Sequence, residues 1–387
     1  MHIVEIPSFF PPYGGTFCVD QAKALMRLGH QVDIVSNVQI GLTKGLRDYL
    51  LLPWCSHHID FDCVSVDRHF MRGIPKMVLK NADRWIKQTV TLFDRYVAEH
   101  GVPDILHAHC CKWGGYAAML LSRKYHIPYV ITEHLSYDVF REEFSENTDA
   151  WQIPMLREAY ESADMVVPVA KELVDNLAPL FGKNYRWQWI SNTIDTDFFH
   201  YVTRDSREEA PYTFCCLANF WPLKGYDILL KAFDQLPENT RLVVAGTGTE
   251  SKSFGELCRS FRRSQYVTSL GNIDREGVRE LLFGSDCLVL ASRSEAQSLS
   301  LLEAMSTGLP VVTTEALPQN LRIDGGCHVV PIDDADAMAQ KMLEVMSSTD
   351  FDGKRLSEQI YMMASPEVVG KKLETLFLQF KQAFPKD

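Results

Sequence analysis

None of the apolar runs in this 387-residue chain reaches the roughly 18 residues that a helix needs to cross a bilayer. The fold is therefore not built on membrane-spanning helices. The opening MHIVEIPSFF has neither a basic start nor a long apolar core, so no secretory signal is expected there. Among ten cysteines no Cys-x-x-Cys occurs, and two pairs are adjacent, Cys110–Cys111 and Cys215–Cys216. With Cys215, Cys216 and Cys287 inside apolar, strand-like runs, they read as buried thiols of a reducing cytoplasm, not as a disulfide framework. A net charge of −11 lacks the basic excess of a general nucleic-acid binder, so no nucleic-acid partner is expected. The loop after the first apolar run is not G-x-G-x-x-G and has no acidic residue placed for a dinucleotide ribose, so NAD is not implied. His107, His109 and Cys110 have no second cluster at metal-ligand spacing beside them, and no metal is expected there.

The length favours two domains, and 46% hydrophobic with 23% charged residues is ordinary globular composition. The first run reads as a strand at His2 to Ile6, a loop with Gly14 and Gly15, a helix from Thr16 and a strand from Gln31. That is the βαβ opening of a doubly wound α/β sheet. Two glycines ahead of a helix either bring backbone N–H groups to a phosphate or make a plain turn. Asp104 to His109 reads as a strand with both histidines on one face. The strand Ile127 to Thr132 ends in Glu133 and His134, where open α/β sheets hold ligands. The polar stretch 202–211 reads as a linker, after which strand–helix alternation restarts at Tyr212.

One basic stretch stands out on this acidic chain. Arg68, Arg72, Lys76, Lys80 and Arg84 recur every four residues, with Phe70, Met71, Met77, Trp85 and Ile86 among them. Read as a helix interrupted by Pro75, they form either a solvated face or an anchor for anionic lipid headgroups.

The chemistry gathers at Ser294 to Thr314, SEAQSLSLLEAMSTGLPVVTT. It reads as a loop, a helix stopped by Gly308 and Pro310, and a strand. Glu295 precedes the helix and Glu303 lies about two turns on. A helix start presents unpaired N–H groups and a positive dipole end, so a phosphate fits near Ser298, Leu299 and Ser300. Flanking carboxylates suit sugar and ribose hydroxyls. Alternatively, Ser300 and Glu303 form a capping box and Glu295 is a solvated acid.

This Glu-x7-Glu stretch with EAM-x-x-G-x-PVV behind it resembles the retaining glycosyltransferases of family 4, which have the GT-B fold of two Rossmann-like domains facing a cleft. The resemblance extends to Lys224-Gly225, although Asn219 stands where an arginine is usual and Ala218 where a glycine is. It implies an N-terminal acceptor-side domain, 1–203, joined by a final crossing helix, 366–387, and a donor-binding domain, 204–365. It implies a hexosyltransferase that moves sugar from a nucleotide-sugar donor to a hydroxyl of a glycan or lipid-linked glycan, in cell-surface polysaccharide synthesis. Glu295, His134 and Lys224 would be catalytic. Gly14, Gly15, Asn219, Gly246, Asn272, Ser298, Leu299, Ser300 and Glu303 would bind the donor. No cofactor or metal is implied, and Asp195-Thr196-Asp197 falls where the family has a structural Asn-Gly-x-Asp run. The implied location is the cytoplasm, with peripheral contact at the inner face of the membrane through the basic stretch. A nucleotide-sugar epimerase, a glycosidase using the paired glutamates and a non-catalytic binding protein are the other readings.

Overall fold

The computed structural model describes residues 1–42, 46–143, 150–204, 210–348 and 350–383. The chain divides into two compact units, Met1–Thr193 with Pro366–Asp387, and Ile194–Ser365.

The first unit holds a seven-stranded sheet in the order β3-β4-β2-β1-β5-β6-β7. The strands are β1 His2–Pro7, β2 Gln31–Ile40, β3 Ser56–Phe61, β4 Val64–Arg72, β5 Ile105–His109, β6 Tyr129–Glu133 and β7 Met165–Pro168. All neighbours are parallel except β3, which runs antiparallel to β4 at the edge. Leaving out the edge strand β3, the order is that of a Rossmann sheet, with the switch point between β1 and β5. Both faces are covered, so the central strands are buried throughout instead of alternating, as in β1, where Ile3, Val4, Glu5 and Ile6 are all fully buried. The helix Pro366–Ala383 packs on the same unit. Its Val369, Leu373, Leu376 and Phe377 join Ile3, Cys18, Ala22 and Leu25 in one apolar core. A hydrogen bond between His30 and Glu374 (2.8 Å) and an ion pair from Lys381 to Asp104 (3.0 Å) flank that packing.

The second unit holds β8 Tyr212–Leu217, β9 Thr240–Ala245, β10 Val267–Ser269, β11 Cys287–Leu290, β12 Val311–Thr314 and β13 Cys327–Val330. Their order is β10-β9-β8-β11-β12-β13, all parallel, again a Rossmann order with its switch point between β8 and β11.

Segment 194–204, read from the sequence as belonging almost wholly to the first domain, packs with the second unit. The Val202 amide donates to the Thr307 carbonyl at 3.3 Å, and Arg204 donates to the Thr307 carbonyl at 2.8 Å and to its hydroxyl at 3.0 Å. Residues 205–209 of the linker and 384–387 of the final helix lie outside the described residues.

The basic stretch is not one helix. Arg68 and Arg72 lie on β4, and the helix that follows, Val78–His100, starts only beyond Pro75. Arg72 is buried, donating to the carbonyls of Tyr49 (2.9 Å), Pro53 (2.9 Å) and Leu52 while stacking on Trp54. Arg68 contacts His57 at 3.2 Å and the ring of Phe70. Arg84 donates to the Arg72 carbonyl at 2.9 Å. Only Lys76 and Lys80 of the five are exposed. The five cations therefore do not share a helical face.

Candidate active site

In the second unit a cavity of about 380 Å3 opens at the carboxyl ends of β8, β9 and β11. Its lining includes Asn219, Lys224, Gly246, Asn272, Glu295, Ser298, Leu299, Ser300 and Glu303. These sequence-predicted residues, spread over 85 positions, thus meet in one place. Sequence reasoning missed Gln297, Ile273 and Val278, which also line it.

The local backbone explains the convergence. Lys224 ends a short 3-10 turn, and Gly225 follows with φ 62°. A Cβ on Gly225 would stand 2.0 Å from the Ala291 carbonyl oxygen, so only glycine lets this turn lie against the end of β11. Lys224 Nζ then reaches Glu295 Oε1 at 2.6 Å, and the Ser292 hydroxyl donates to the same oxygen at 2.7 Å. Glu295 is nearly enclosed, with 7% of its side chain exposed against 22% for Lys224. Glu295 is therefore not a solvated loop acid.

The helix Leu299–Ser306 begins after Ser298, which has extended backbone and no side-chain capping bond. Ser300 is the second helical residue and donates from Oγ to the Leu217 carbonyl at 2.9 Å. It therefore cannot be the first member of a capping box with Glu303, because that role belongs to the residue before the helix. Ser298 and Ser300 hydroxyls lie 3.1 Å apart. No acidic residue occupies the first turn, so its N–H end keeps its anion-binding polarity. Asn219 Oδ1 accepts from the Thr247 amide at 3.0 Å, which leaves the NH2 as the group able to meet an anion. Arg293 does not replace the missing arginine. It donates to Asp333 (2.6 Å), Asp227 (2.7 Å) and the Pro222 carbonyl (2.6 Å).

In the first unit Gly14 and Gly15 precede the helix Thr16–Arg27 with φ 94° and 86°. A Cβ on Gly15 would meet the Phe9 carbonyl oxygen at 2.0 Å, whereas Gly14 faces open space. Glu133 turns inward. It accepts from the Cys111, His134 and Leu135 amides, each at 2.9 Å, and from Tyr160 Oη at 2.5 Å. Burial pushes its carboxyl above the usual range despite these donors.

His134 stacks on Phe17 with ring centres 3.8 Å apart, and its Nε2 lies 3.1 Å from His109 Nδ1. Burial, with His109 and His107 nearby, holds His134 well below the usual histidine range, so its ring is neutral at neutral pH. Behind it, Glu5, His107 and His109 place one ligating atom each within 4.8 Å of one another, the group among the described residues able to hold a metal ion. Glu5 was not singled out from the sequence. Asp195 is structural, pairing with Arg275 at 3.0 Å and accepting from the Phe198 amide at 3.2 Å.

Residues 14–198 match the family model described as Glycosyltransferase Family 4, and 211–348 match that of Glycosyl transferases group 1. The chain belongs to this glycosyltransferase family. It is 23% identical to N-acetyl-alpha-D-glucosaminyl L-malate synthase of Bacillus anthracis, over 95% of this chain and 94% of that protein. It is 21% identical to a phosphatidylinositol N-acetylglucosaminyltransferase subunit of Saccharomyces cerevisiae, over 98% and 83%. Among solved structures, sucrose-phosphate synthase from Thermosynechococcus elongatus superposes with a TM-score of 0.81 at 20% identity, covering 99% of this chain and 100% of that one. Anabaena HepE, solved with UDP and glucose, superposes with a TM-score of 0.73 at 14% identity, over 98% and 100%. The fold is GT-B, with two Rossmann-like parallel-sheet domains. In this glycosyltransferase no described helix is long and apolar enough to cross a membrane.

Proposed function

We propose that this glycosyltransferase moves a hexosyl unit from a nucleotide-sugar donor to a hydroxyl acceptor with retention of anomeric configuration. The observation that carries this reading is the second-unit cavity, where a lysine, a helix start and two glutamates converge at a Rossmann switch point. Breaking the anomeric bond puts charge on the departing phosphate. Preorganised donors aimed at that charge supply most of the catalysis, here Lys224, the Asn219 amide and the N–H groups of the helix start. Glu295 orients the sugar and favours the oxocarbenium-like centre, Glu303 holds the ribose, and His134 contacts sugar. Gly14 and Gly15 bring backbone to the phosphate, and Gly246 and Asn272 shape the base end of the cavity. No metal is needed in this scheme, since protein groups meet the phosphate charge.

The acceptor is a glycan or a lipid-linked glycan of cell-surface polysaccharide synthesis, and the enzyme works in the cytoplasm. The test is turnover of a panel of nucleotide sugars with EDTA present, with the product's anomeric configuration read by NMR. Transfer with retention is the expected result. Inversion, or activity that requires added divalent metal, overturns the corresponding part. Altered sugar with the nucleotide still attached identifies an epimerase instead.

Peripheral contact with an anionic membrane belongs to the same proposal, on a surface that keeps only Lys76 and Lys80 of the basic stretch as exposed cations. The short helix Leu46–Leu51 buries none of its residues, and Leu46, Leu50, Leu51 and Trp54 are 62–71% exposed. Arg72 ties this segment to the chain leading into the next helix, where Met77 and Leu79 are also exposed. Arg47, Lys76 and Lys80 supply positive charge beside these apolar groups. Apolar insertion beside cations suits an anionic leaflet, at about 1 kcal/mol per cation. Leu50→Glu with Leu51→Glu is expected to reduce co-sedimentation with phosphatidylserine-containing vesicles at least tenfold. Equal sedimentation of variant and parent removes membrane contact from the proposal.

A further inference from the structure

A second cavity, of about 290 Å3, lies within the first unit and shares no residue with the transfer site. β4 and the helix Val78–His100 supply most of its wall, and Trp54 also lines it. Its described lining carries Arg72, Arg84, Lys87 and His69 but no carboxylate. On a chain of net charge −11, composition does not account for such a pocket.

Arg72 is only 2% exposed. The carbonyls of Tyr49, Leu52 and Pro53 accept its hydrogen bonds but leave its unit charge without a counter-charge. Arg84 is half-buried and gives one Nη to the Arg72 carbonyl at 2.9 Å, one donor of a five-donor fork. Among the described residues neither guanidinium pairs with a carboxylate. Lys87 is shared with Asp83 at 2.9 Å on the solvent side. Burial, with Arg95, His57 and Arg72 nearby, holds His69 below the usual histidine range, as a positive surrounding field requires. Enclosed charge is costly unless it is paired. Two unpaired guanidinium groups lining one cavity therefore make a place for an anion.

We propose that this cavity binds a phosphate ester, with Arg84 as its main ligand and Arg72 and Lys87 adding positive field. A guanidinium fork meets phosphate oxygens in pairs, and the Gln88 amide offers a neutral donor on the same wall. Three cations suit a doubly charged group better than a single carboxylate. Trp54 lines the cavity and also belongs to the exposed apolar group with Leu50 and Leu51. The phosphate is therefore a lipid headgroup's or a soluble ester's, and only the lipid source rests on the membrane contact proposed above.

The test reads Trp54 in the full chain carrying fluorotryptophan, its fluorine NMR signal assigned by its loss in Trp54→Phe. Glycerol 3-phosphate is expected to shift this signal saturably, and acetate at equal ionic strength is not. No saturable shift, or an equal shift with acetate, overturns the proposal in the parent protein, without reference to any variant's folding. Arg84→Met is expected to weaken the binding at least about tenfold, as for one charge-assisted hydrogen bond, and Arg84→Lys less. Parent-like binding by Arg84→Met also overturns it. A shift that vanishes in Lys224→Ala comes from the donor cavity and overturns it too. Co-sedimentation with phosphatidylserine vesicles then identifies the source. Displacement by glycerol 3-phosphate but not by acetate assigns a lipid phosphate, and undiminished sedimentation assigns a soluble ester. If Leu50→Glu with Leu51→Glu sediments like the parent, membrane contact fails, while the Trp54 signal still decides the cavity.

Discussion

Glu295→Ala lowers sugar transfer by at least about a hundredfold, the loss typical of removing one preorganised electrostatic group, and leaves nucleoside diphosphate binding intact or tightened. The carboxylate sits in the cavity with 7% of its side chain exposed, held by Lys224 and Ser292. In the proposed scheme it therefore competes with an incoming phosphate for the lysine. Removing it frees the ammonium for the diphosphate while deleting the group that, in the proposed scheme, steadies the sugar's developing positive charge. Rate and nucleotide affinity should thus move apart, which a loss of folding could not produce. Parent-level transfer by a folded variant, read by product formation, takes Glu295 out of the chemistry.

Lys224→Ala weakens nucleoside diphosphate binding about 10- to 150-fold, the range for one charge-assisted hydrogen bond of about 1.5–3 kcal/mol. Asn219 in place of an arginine makes the lysine matter more, since a neutral amide contributes less toward an anion than a cation does. The variant also strips Glu295 of its cation, leaving a largely enclosed carboxylate near the phosphate, so kcat falls as well. Because the two residues share one ion pair, the double variant Lys224→Ala, Glu295→Ala should bind diphosphate better than Lys224→Ala alone. Calorimetric titration with nucleoside diphosphates measures all three. Unaltered affinity in Lys224→Ala removes it from the phosphate site.

Much of the second-unit site was legible because its residues follow local rules. Lys224-Gly225 and the helix after Glu295 each sit at a strand-to-helix turn, and such turns lie at the carboxyl ends of parallel strands. The basic stretch misled for an equally physical reason. Residues four apart share a face on a strand as well as, nearly, on a helix. Arg68 and Arg72 obey the spacing on β4, where Arg72 is spent on three backbone carbonyls. Arg293, two residues from Glu295 in the sequence, is occupied by two aspartates, Asp227 and Asp333, 66 and 40 residues away.

From its sequence alone this protein is two successive parallel α/β domains with glycine turns and helix starts at their strand ends, because periodicity, glycines and helix starts are local properties of the chain, and the glycosyltransferase resemblance rests on motifs at those turns. Tertiary structure alone decided which charged and polar groups meet. The Lys224–Glu295 pair spans 71 residues and the Glu5–His109 contact spans 104. Hydrogen bonds reach about 3 Å in space and carry no signature along the chain, so partners brought together by strand register and crossover helices become visible only once the sheets are formed.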